Sequence, residues 1–204
     1  MLPDFNRENK LYEGGVYKFI AGSDEVGRGS IAGPIVVATV ILNRNYNIPG
    51  LNESKSLTRL QREKIYQVII QNVQAFGVGT IDNTIIDHLG IIHAQHQALL
   101  QSIQTLKIKS DFLLMDYVSF APQINFPYLA IVKGDTQVAS IAAASVIAKV
   151  TRDRWMNKMH LIYPNYGFNT NSGYGTMKHF QAIKKYGLCK IHRKTFINGL
   201  GVRG

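Results

Sequence analysis

The chain has 204 residues, a formal net charge of +10 at pH 7 and 46% hydrophobic residues. This length predicts one domain with a packed core, and no apolar run approaches the roughly 18–20 residues that a membrane span needs. A single cysteine, Cys189, excludes an internal disulfide framework, and the first residues lack the layout of a secretory signal. We therefore expect a cytoplasmic protein that binds no membrane.

The hydrophobic pattern predicts five strands and four helices. The strands fall at residues 17–24, 33–42, 75–81, 111–118 and 127–132. The helices fall at residues 59–72 after Thr58 as N-cap, at 83–106 with Asn83 as the cap, at 135–160 and at 176–186. The short link between the first two strands favours an antiparallel pair. The later alternation of strands and helices predicts a mixed sheet with helices on both faces.

The positive charge is concentrated in the last part of the chain. Residues 149–204 contain 11 of the 23 Lys and Arg residues and a single acid, Asp153, whereas residues 1–148 contain 12 residues of each sign. This asymmetry predicts that the C-terminal third faces a polyanion, although a solvated basic face would explain it equally well. Aromatic residues are interleaved with these charges, and rings beside cations also stack on sugars and bases.

Two adjacent carboxylates, Asp24 and Glu25, end the first predicted strand, and Gly27, Arg28 and Gly29 follow almost at once. Adjacent acids at the end of a buried strand repel each other and lose hydration, and a divalent cation with oxygen ligands offsets both effects. Glycines expose backbone N–H groups and the arginine supplies a guanidinium, which together suit a phosphate or a sugar edge. The pattern therefore indicates phosphodiester chemistry.

Two further acids follow apolar strands. Asp116 closes the run Phe-Leu-Leu-Met, and Asp135 follows the fifth predicted strand and opens the third predicted helix. Taken alone, Asp116 would also suit a turn and Asp135 a helix N-cap. Because the ends of strands in an open α/β sheet build its site, we predict that these acids join Asp24 and Glu25 and hold two divalent ions.

At this point the motifs resemble one family, the type 2 ribonucleases H, or ribonuclease HII proteins. The first motif is Ala-Gly-Ser-Asp-Glu-Val-Gly-Arg-Gly at residues 21–29. Similar motifs continue in register at residues 52–58, 115–116 and 133–135, in the helix Ala-Ala-Ala-Ser-Val-Ile-Ala-Lys-Val-Thr-Arg-Asp at 142–153, and at 173–176 and 192–196. The resemblance covers nearly the whole chain, and this many motifs in order are very specific.

The resemblance implies a ribonuclease H-like α/β fold, with a five-stranded mixed sheet flanked by helices and a helical C-terminal extension. One catalytic domain would span residues 1–204, with a core over about 1–150 and a basic helical part over about 151–204. The implied activity is two-metal-ion hydrolysis of the RNA strand of RNA–DNA hybrids. It includes cleavage 5′ of single ribonucleotides embedded in duplex DNA and leaves a 3′-hydroxyl and a 5′-phosphate. The implied partners are these two nucleic acids, and the protein is expected to be a monomer.

The resemblance also implies a role for each matching residue. Mg²⁺ or Mn²⁺ ions would be held by Asp24, Glu25, Asp116 and Asp135. The ribose 2′-hydroxyl would be read by Gly27, Arg28 and Gly29, Tyr174 would stack on the next sugar, and Lys55 would contact a phosphate.

The sequence departs from the family pattern beside Tyr174, where Asn171 and Ser172 precede Gly173 in place of the frequent His-Lys. This departure affects how Tyr174 is held, and hence how strictly a junction is read. Two other functions remain as alternatives. One is another carboxylate-metal nuclease of the same superfamily, of the resolvase or transposase type. The other is a nucleic-acid-binding module without catalysis.

Overall fold

The computed structural model describes residues 2–44, 48–116 and 121–197, which form a five-stranded mixed sheet with helices on both faces. The strands are β1 (Ile20–Val26), β2 (Ile35–Leu42), β3 (Val73–Ile81), β4 (Phe112–Asp116) and β5 (Tyr128–Ile131). Their order across the sheet is β3-β2-β1-β4-β5. β1, β2 and β3 pair antiparallel, whereas β4 pairs parallel with both β1 and β5. The predicted mixed sheet and the antiparallel first pair are confirmed.

The helices are α1 (Asn6–Glu13), α2 (Arg59–Asn72), α3 (Asn83–Leu89), α4 (Ile91–Gln104), α5 (Ala139–Ile162), α6 (Phe168–Asn171), α7 (Met177–Tyr186) and α8 (Lys194–Ile197). Thr58 caps α2 as predicted. Its hydroxyl accepts a hydrogen bond from the Gln61 N–H, and the Gln61 side chain accepts one from the Thr58 N–H, which completes a capping box. The Thr176 hydroxyl caps α7 by accepting a hydrogen bond of 3.3 Å from the His179 N–H.

The predicted helix over residues 83–106 is wrong as a single element, because the chain breaks at Gly90. Gly90 has φ +81°, a left-handed conformation that glycine adopts without strain, and it separates α3 from α4. The predicted cap is also displaced by one residue. Asp82, not Asn83, caps α3, since its carboxylate accepts hydrogen bonds from the backbone N–H groups of Thr84 and Ile85.

The N-terminal helix α1 was not predicted, and α5 begins at Ala139 rather than at residue 135. The two differences are connected. The buried Glu8 carboxylate of α1 accepts a hydrogen bond of 2.9 Å from the Ser140 N–H, in the first turn of α5, where no residue of α5 itself provides a side-chain cap. Asp135 instead lies in a 3₁₀ turn over Gly134–Thr136. A contact distant in sequence therefore fixes the start of α5.

The sheet separates two apolar cores, one against α2 and α5 and the other against α4. The alanine-rich start of α5 packs on β1 so closely that a Cβ atom at Gly22 would lie 2.2 Å from the Ser140 backbone. Such a contact is impossible without moving the helix, so glycine is required there. This approach brings α5 against the middle strand, beside the acids of β1. Past Arg152, α5 continues into a third core around Phe168, which joins it to α6 and α7.

Candidate active site

Asp24 and Asp116 are neighbours on two parallel strands in the middle of the sheet. Ser23 of β1 lies opposite Met115 of β4, so the next residue on each strand is one of the two aspartates. Cross-strand neighbours point to the same face of a sheet. Asp116 is the last residue of β4. The strand β1 continues to Val26, so the prediction that Asp24 and Glu25 end their strand is wrong by one or two residues. The rest of the predicted fourth strand, residues 117–118, lies outside the described residues.

Asp135 reaches the same region through the turn after β5. The Gly134 N–H donates a hydrogen bond of 2.8 Å to Asp116 Oδ1, which ties the Gly134–Thr136 turn to the end of β4. Asp135 is only 4% exposed. The structure thus brings the four predicted acids into one region from three separate segments of the chain. Below, these four residues (Asp24, Glu25, Asp116 and Asp135) are called the acid cluster.

The acid cluster carries more negative charge than its surroundings neutralise. Burial, and then the charges of Glu25, Asp116 and Asp135, raise the pKa of Asp24 well above its ordinary range. Burial, followed by the charge of Asp116, raises the pKa of Glu25 to about 7, against the opposing effects of Arg28 and Lys55. The pKa of Asp135 is also raised, first by burial and then by Asp116. Mutual effects of this kind require the carboxylates to be close together.

A divalent cation fits the donor set of the acid cluster. Hard cations take carboxylate oxygens, and a nearby positive charge would remove the repulsion that raises these pKa values. Within the described ranges, however, no three or more His, Cys, Asp or Glu side chains are gathered into a ready-made metal site. The acids are therefore close enough for their charges to interact, although as placed they do not form a complete site.

Lys55 lies beside the acid cluster, and its loop is anchored by contacts that sequence reasoning missed. Its ammonium nitrogen is 3.9 Å from Asp135 Oδ2, while its side chain is 81% exposed. The neighbouring Ser54 is buried, and its hydroxyl lies 2.7 Å from the hydroxyl of Ser145 on α5. Ser145 also interacts with the Asp24 carboxylate, where it opposes the rise in the pKa of Asp24. The loop that carries Lys55 is thus connected to Asp24 through a pair of serines.

The predicted recognition glycines begin a loop, residues 27–34, that follows β1 directly. Gly27 has φ +99°, and a Cβ atom there would lie 2.3 Å from Arg152 Nε, so glycine is needed both for conformation and for space. Gly29 differs, since a Cβ atom there would contact nothing within 4 Å. Arg28 and Gly29 are exposed, and the charge of Arg28 acts on Glu25. The exposed part of the 27–34 loop therefore adjoins the acid cluster.

Tyr174 lies next to the 27–34 loop. The carbonyl oxygen of Gly173, a residue with φ +79°, accepts hydrogen bonds from the backbone N–H groups of Ile31 (3.0 Å) and Ala32 (3.1 Å). The Tyr174 ring is 39% exposed and lies 5.6 Å from the guanidinium carbon of Arg152. The structure thus brings together Tyr174 and the glycine loop, which are almost 150 residues apart in sequence.

Two fully buried arginines hold the 27–34 loop, and sequence reasoning missed both. The first, Arg152, donates from Nε to Pro34 O (2.8 Å), from Nη2 to Ala32 O (3.0 Å) and from Nη1 to Ser172 O (2.6 Å). The second, Arg193, donates to the carbonyl oxygens of Gly33 (2.9 Å) and Arg28 (3.1 Å).

Burial, and then the charge of Arg152, lower the pKa of Arg193 to about 9. A sequence signal existed for Arg152, because it lies four residues after Ala148 and four before Met156, two apolar residues that are buried on the same side of α5. An arginine on such a face must find hydrogen-bond acceptors in the interior.

The residues that depart from the family pattern, Asn171 and Ser172, are both hydrogen-bonded in the turn before Tyr174. The Asn171 side chain accepts a hydrogen bond of 2.8 Å from the Gly173 N–H, and its amide donates to Tyr166 O at 2.7 Å. The Ser172 hydroxyl donates to Asp153 at 2.9 Å. Asp153 also forms an ion pair with Lys149, at 2.7 Å. These contacts bind the turn to α5.

In the described part of the chain, no helix is both long and apolar enough to cross a membrane.

Comparison with known proteins identifies one family. The sequence model described as Ribonuclease HII matches residues 21–199. The chain is 47% identical over 190 residues to the Ribonuclease HII of Caldanaerobacter subterraneus subsp. tengcongensis, a match that covers 93% of this chain and 78% of the relative. It is 48% identical over 189 residues to the Ribonuclease HII of Acetivibrio thermocellus, covering 93% of this chain and 73% of the relative.

Solved structures show the same fold. The crystal structure of the ribonuclease H2 from Pyrococcus horikoshii OT3 superposes with a TM-score of 0.74 at 28% identity, over 87% of this chain and 93% of that one. A structure of the PCNA:RNase HII complex from Archaeoglobus fulgidus gives a TM-score of 0.76 at 22% identity, over 91% and 97% of the two chains. These superpositions confirm the predicted α/β architecture with its helical C-terminal part.

Proposed function

The chain belongs to the ribonuclease HII family, and from this premise we propose which of its residues carry the reaction. It is a metal-dependent endonuclease that hydrolyses the RNA strand of RNA–DNA hybrids. We propose that it also cuts 5′ of single ribonucleotides embedded in duplex DNA. Mg²⁺ or Mn²⁺ would support the reaction, with two ions bound alongside the substrate. The enzyme would act as a monomer. Residues 1–204 would form one catalytic domain, with a basic part from about residue 151.

The acid cluster is the proposed metal site. The observation that carries this proposal is the parallel register of β1 and β4, which makes Asp24 and Asp116 neighbours, together with the Gly134 hydrogen bond that brings Asp135 beside them. When bound, divalent ions activate a water and stabilise the leaving oxygen of a phosphodiester. The protein itself supplies the carboxylates, and Ser145 lies close enough to Asp24 to oppose the rise in its pKa. Lys55, exposed beside Asp135, is suited to contact a phosphate of the substrate.

We assign recognition of the ribose to the 27–34 loop and Tyr174. The 2′-hydroxyl distinguishes RNA from DNA and requires donors and acceptors at fixed positions. Gly27, Arg28 and Gly29 offer backbone groups beside the acid cluster, and the empty space around Gly29 lets a sugar approach the main chain. The half-exposed Tyr174 ring is suited to stack on the adjacent sugar. Arg152 and Arg193 hold this loop in place by donating to its carbonyl oxygens.

The test is a cleavage assay with Mg²⁺ or Mn²⁺ on three duplexes: an RNA–DNA hybrid, DNA containing one ribonucleotide, and DNA alone. We expect cleavage of the first two and none of the third. Asp24→Asn and Asp116→Asn should remove most activity while the circular dichroism spectrum and the unfolding transition remain. Unchanged turnover of either variant would contradict the metal site. Cleavage of DNA without a ribonucleotide would favour a nuclease of the resolvase or transposase type.

The role of Tyr174 is tested separately. Tyr174→Ala should reduce the ratio of kcat/KM on the single-ribonucleotide duplex to kcat/KM on the uniform hybrid, because stacking on a deoxyribose is lost. Tyr128→Ala, which removes an exposed tyrosine of β5, is the control. A wild-type ratio in Tyr174→Ala would show that the ring does not read the junction.

A further inference from the structure

Two buried histidines form a hydrogen-bonded pair that ends on Tyr174. His179 of α7 and His192 are 0% and 1% exposed, and their Nε2 atoms are 3.0 Å apart. His179 Nδ1 lies 2.9 Å from the Tyr174 carbonyl oxygen. Among the hydrogen bonds and ion pairs of the described residues, neither imidazole reaches the acid cluster. The pair therefore has no part in the chemistry proposed above.

The tautomer of both imidazoles follows from the hydrogen-bond partner of His192. The Cys189 backbone N–H can only donate, and it lies 2.8 Å from His192 Nδ1, so that nitrogen accepts. The Cys189 carbonyl oxygen is farther from the same nitrogen, at 3.3 Å. The His192 proton therefore sits on Nε2 and is donated to His179 Nε2. The His179 proton then sits on Nδ1 and is donated to the Tyr174 carbonyl oxygen.

Both imidazoles are held in the neutral form that this chain of hydrogen bonds requires. Burial, and then the neighbouring His179, lower the pKa of His192 to about 4. Burial also lowers the pKa of His179. At neutral pH each ring thus carries one proton, and each has one donor and one acceptor nitrogen.

The pair connects the two segments that are proposed to read the ribose. His192 contacts one of them through its backbone, and His179 contacts the other through its ring. His192 forms an isolated antiparallel bridge with Ala32 of the 27–34 loop, next to the hydrogen bond from the Arg193 N–H to Ile31 O. At the other end, the Tyr174 carbonyl oxygen accepts from both His179 Nδ1 and the Thr176 N–H, which fixes the peptide plane that follows the tyrosine. The two histidines thereby link the backbone at Tyr174 to the segment that pairs with Ala32.

We propose that His179 and His192 are positioning residues, which set the Tyr174 ring relative to the 27–34 loop and so determine how strongly the enzyme prefers a ribonucleotide–deoxyribonucleotide junction. This inference rests on the proposed stacking role of Tyr174. It assigns the pair no step in hydrolysis, so its loss changes the choice of substrate more than the rate on a uniform hybrid.

The experiment replaces His179 with asparagine or with glutamine, because the side-chain amide nitrogen of each lies near a different nitrogen of the imidazole. In His179→Asn the amide nitrogen lies near the position of Nδ1, so it can still donate to Tyr174. In His179→Gln it lies near Nε2, so that donor is lost. We measure kcat/KM on the single-ribonucleotide duplex and on the uniform hybrid, and take their ratio. We expect His179→Gln to lower the ratio about tenfold, the effect of one lost buried hydrogen bond, and His179→Asn to keep it within about twofold.

The control is His88→Gln, which removes an exposed imidazole of α3 and should leave the ratio at its wild-type value. An equal loss of the ratio in both His179 variants, or a wild-type ratio in His179→Gln, would overturn the proposal. Since a variant of a buried residue can fail to fold, ¹⁵N chemical shifts of the wild-type imidazoles give a second measurement. We expect a protonated Nδ1 in His179 and a protonated Nε2 in His192, and the opposite tautomers would also overturn it.

The design separates failure of this inference from failure of the proposed function. If Tyr174→Ala leaves the ratio unchanged, the stacking role itself is wrong. If Tyr174→Ala lowers the ratio and His179→Gln does not, the stacking role stands and the histidine pair does not control it.

Discussion

Replacing Glu25 with glutamine should make the metal-free protein more stable at pH 8, although it removes a proposed metal ligand. Glu25 is partly buried beside Asp116, and burial followed by that charge raises its pKa from 4.5 to about 7. Because the folded state binds this proton more tightly than the unfolded state, stability falls as pH rises from about 4.5 to 7 and is then constant. Above pH 7, the ionised carboxylate therefore opposes folding.

The magnitude follows from the two pKa values. A difference between 4.5 and about 7 corresponds to about 3 kcal/mol at pH 8, which is an upper limit because Glu25 shares its repulsion with the rest of the acid cluster. Rearrangement of the neighbouring acids reduces the effect, so we expect Glu25→Gln to stabilise the metal-free fold by about 1–2 kcal/mol. For a chain of this length, the melting temperature would rise by about 2–8 °C.

The assay is thermal unfolding in EDTA at pH 5 and pH 8, followed by titration with Mn²⁺ at pH 8. Glu25→Gln should exceed wild type at pH 8 and lose most of that advantage at pH 5, where the wild-type glutamate is protonated. Mn²⁺ at 100 times its Kd should then stabilise the wild type by about 2.7 kcal/mol and stabilise the variant less. Glu13→Gln, which removes an exposed charge at the end of α1, is the control. A Glu25→Gln protein less stable than wild type in EDTA at pH 8 would refute this reasoning.

Three further predictions concern the recognition and binding surfaces. Arg193→Lys should lower the free energy of unfolding by about 2 kcal/mol in urea denaturation, because an ammonium group cannot reproduce the guanidinium contacts with two loop carbonyls; an unchanged midpoint would contradict this. The pKa of His192 is lowered from 6.5 to about 4 in the folded state, so the unfolded state takes up a proton first as the pH drops. The free energy of unfolding should therefore fall between about pH 6.5 and 4, and His192→Gln should flatten that fall. Neutralising the exposed Lys184, Lys185 and Lys190 should reduce the salt dependence of duplex affinity, and an unaltered slope would place them off the binding face.

The sheet and the positions of the acids at its strands could be predicted from the sequence. Local signals, such as the apolar strands and Thr58 as the N-cap of α2, depend on local physics and were predicted to within a few residues. The joint position of Asp24 and Asp116 was also predictable, because both follow apolar runs that pair in parallel. Whether the four acids bind metal stays a prediction.

Contacts between distant segments could not be read from the sequence. The helix α1 is mostly polar, and its Glu8 is held by a contact with Ser140 that no local pattern reveals. The break at Gly90 was missed because the apolar spacing continues across it. Arg152 was named only as one of the charges of the basic third and within the 142–153 motif, whereas its guanidinium is an interior group that holds the 27–34 loop.

The two parts of the site therefore respond differently to pH. The acid cluster contains a glutamate with a pKa of about 7, whereas the 27–34 loop is held by Arg193, with a pKa of about 9, and by His192, with a pKa of about 4. Between pH 6.5 and 8 the groups that hold the loop keep their charge states, while the carboxylates still lose protons. The cleavage rate should consequently rise over this range, as more carboxylate oxygens become available as ligands, while the ratio of junction to hybrid cleavage stays constant. A ratio that changes between pH 6.5 and 8 would show that a titrating group controls recognition of the ribose.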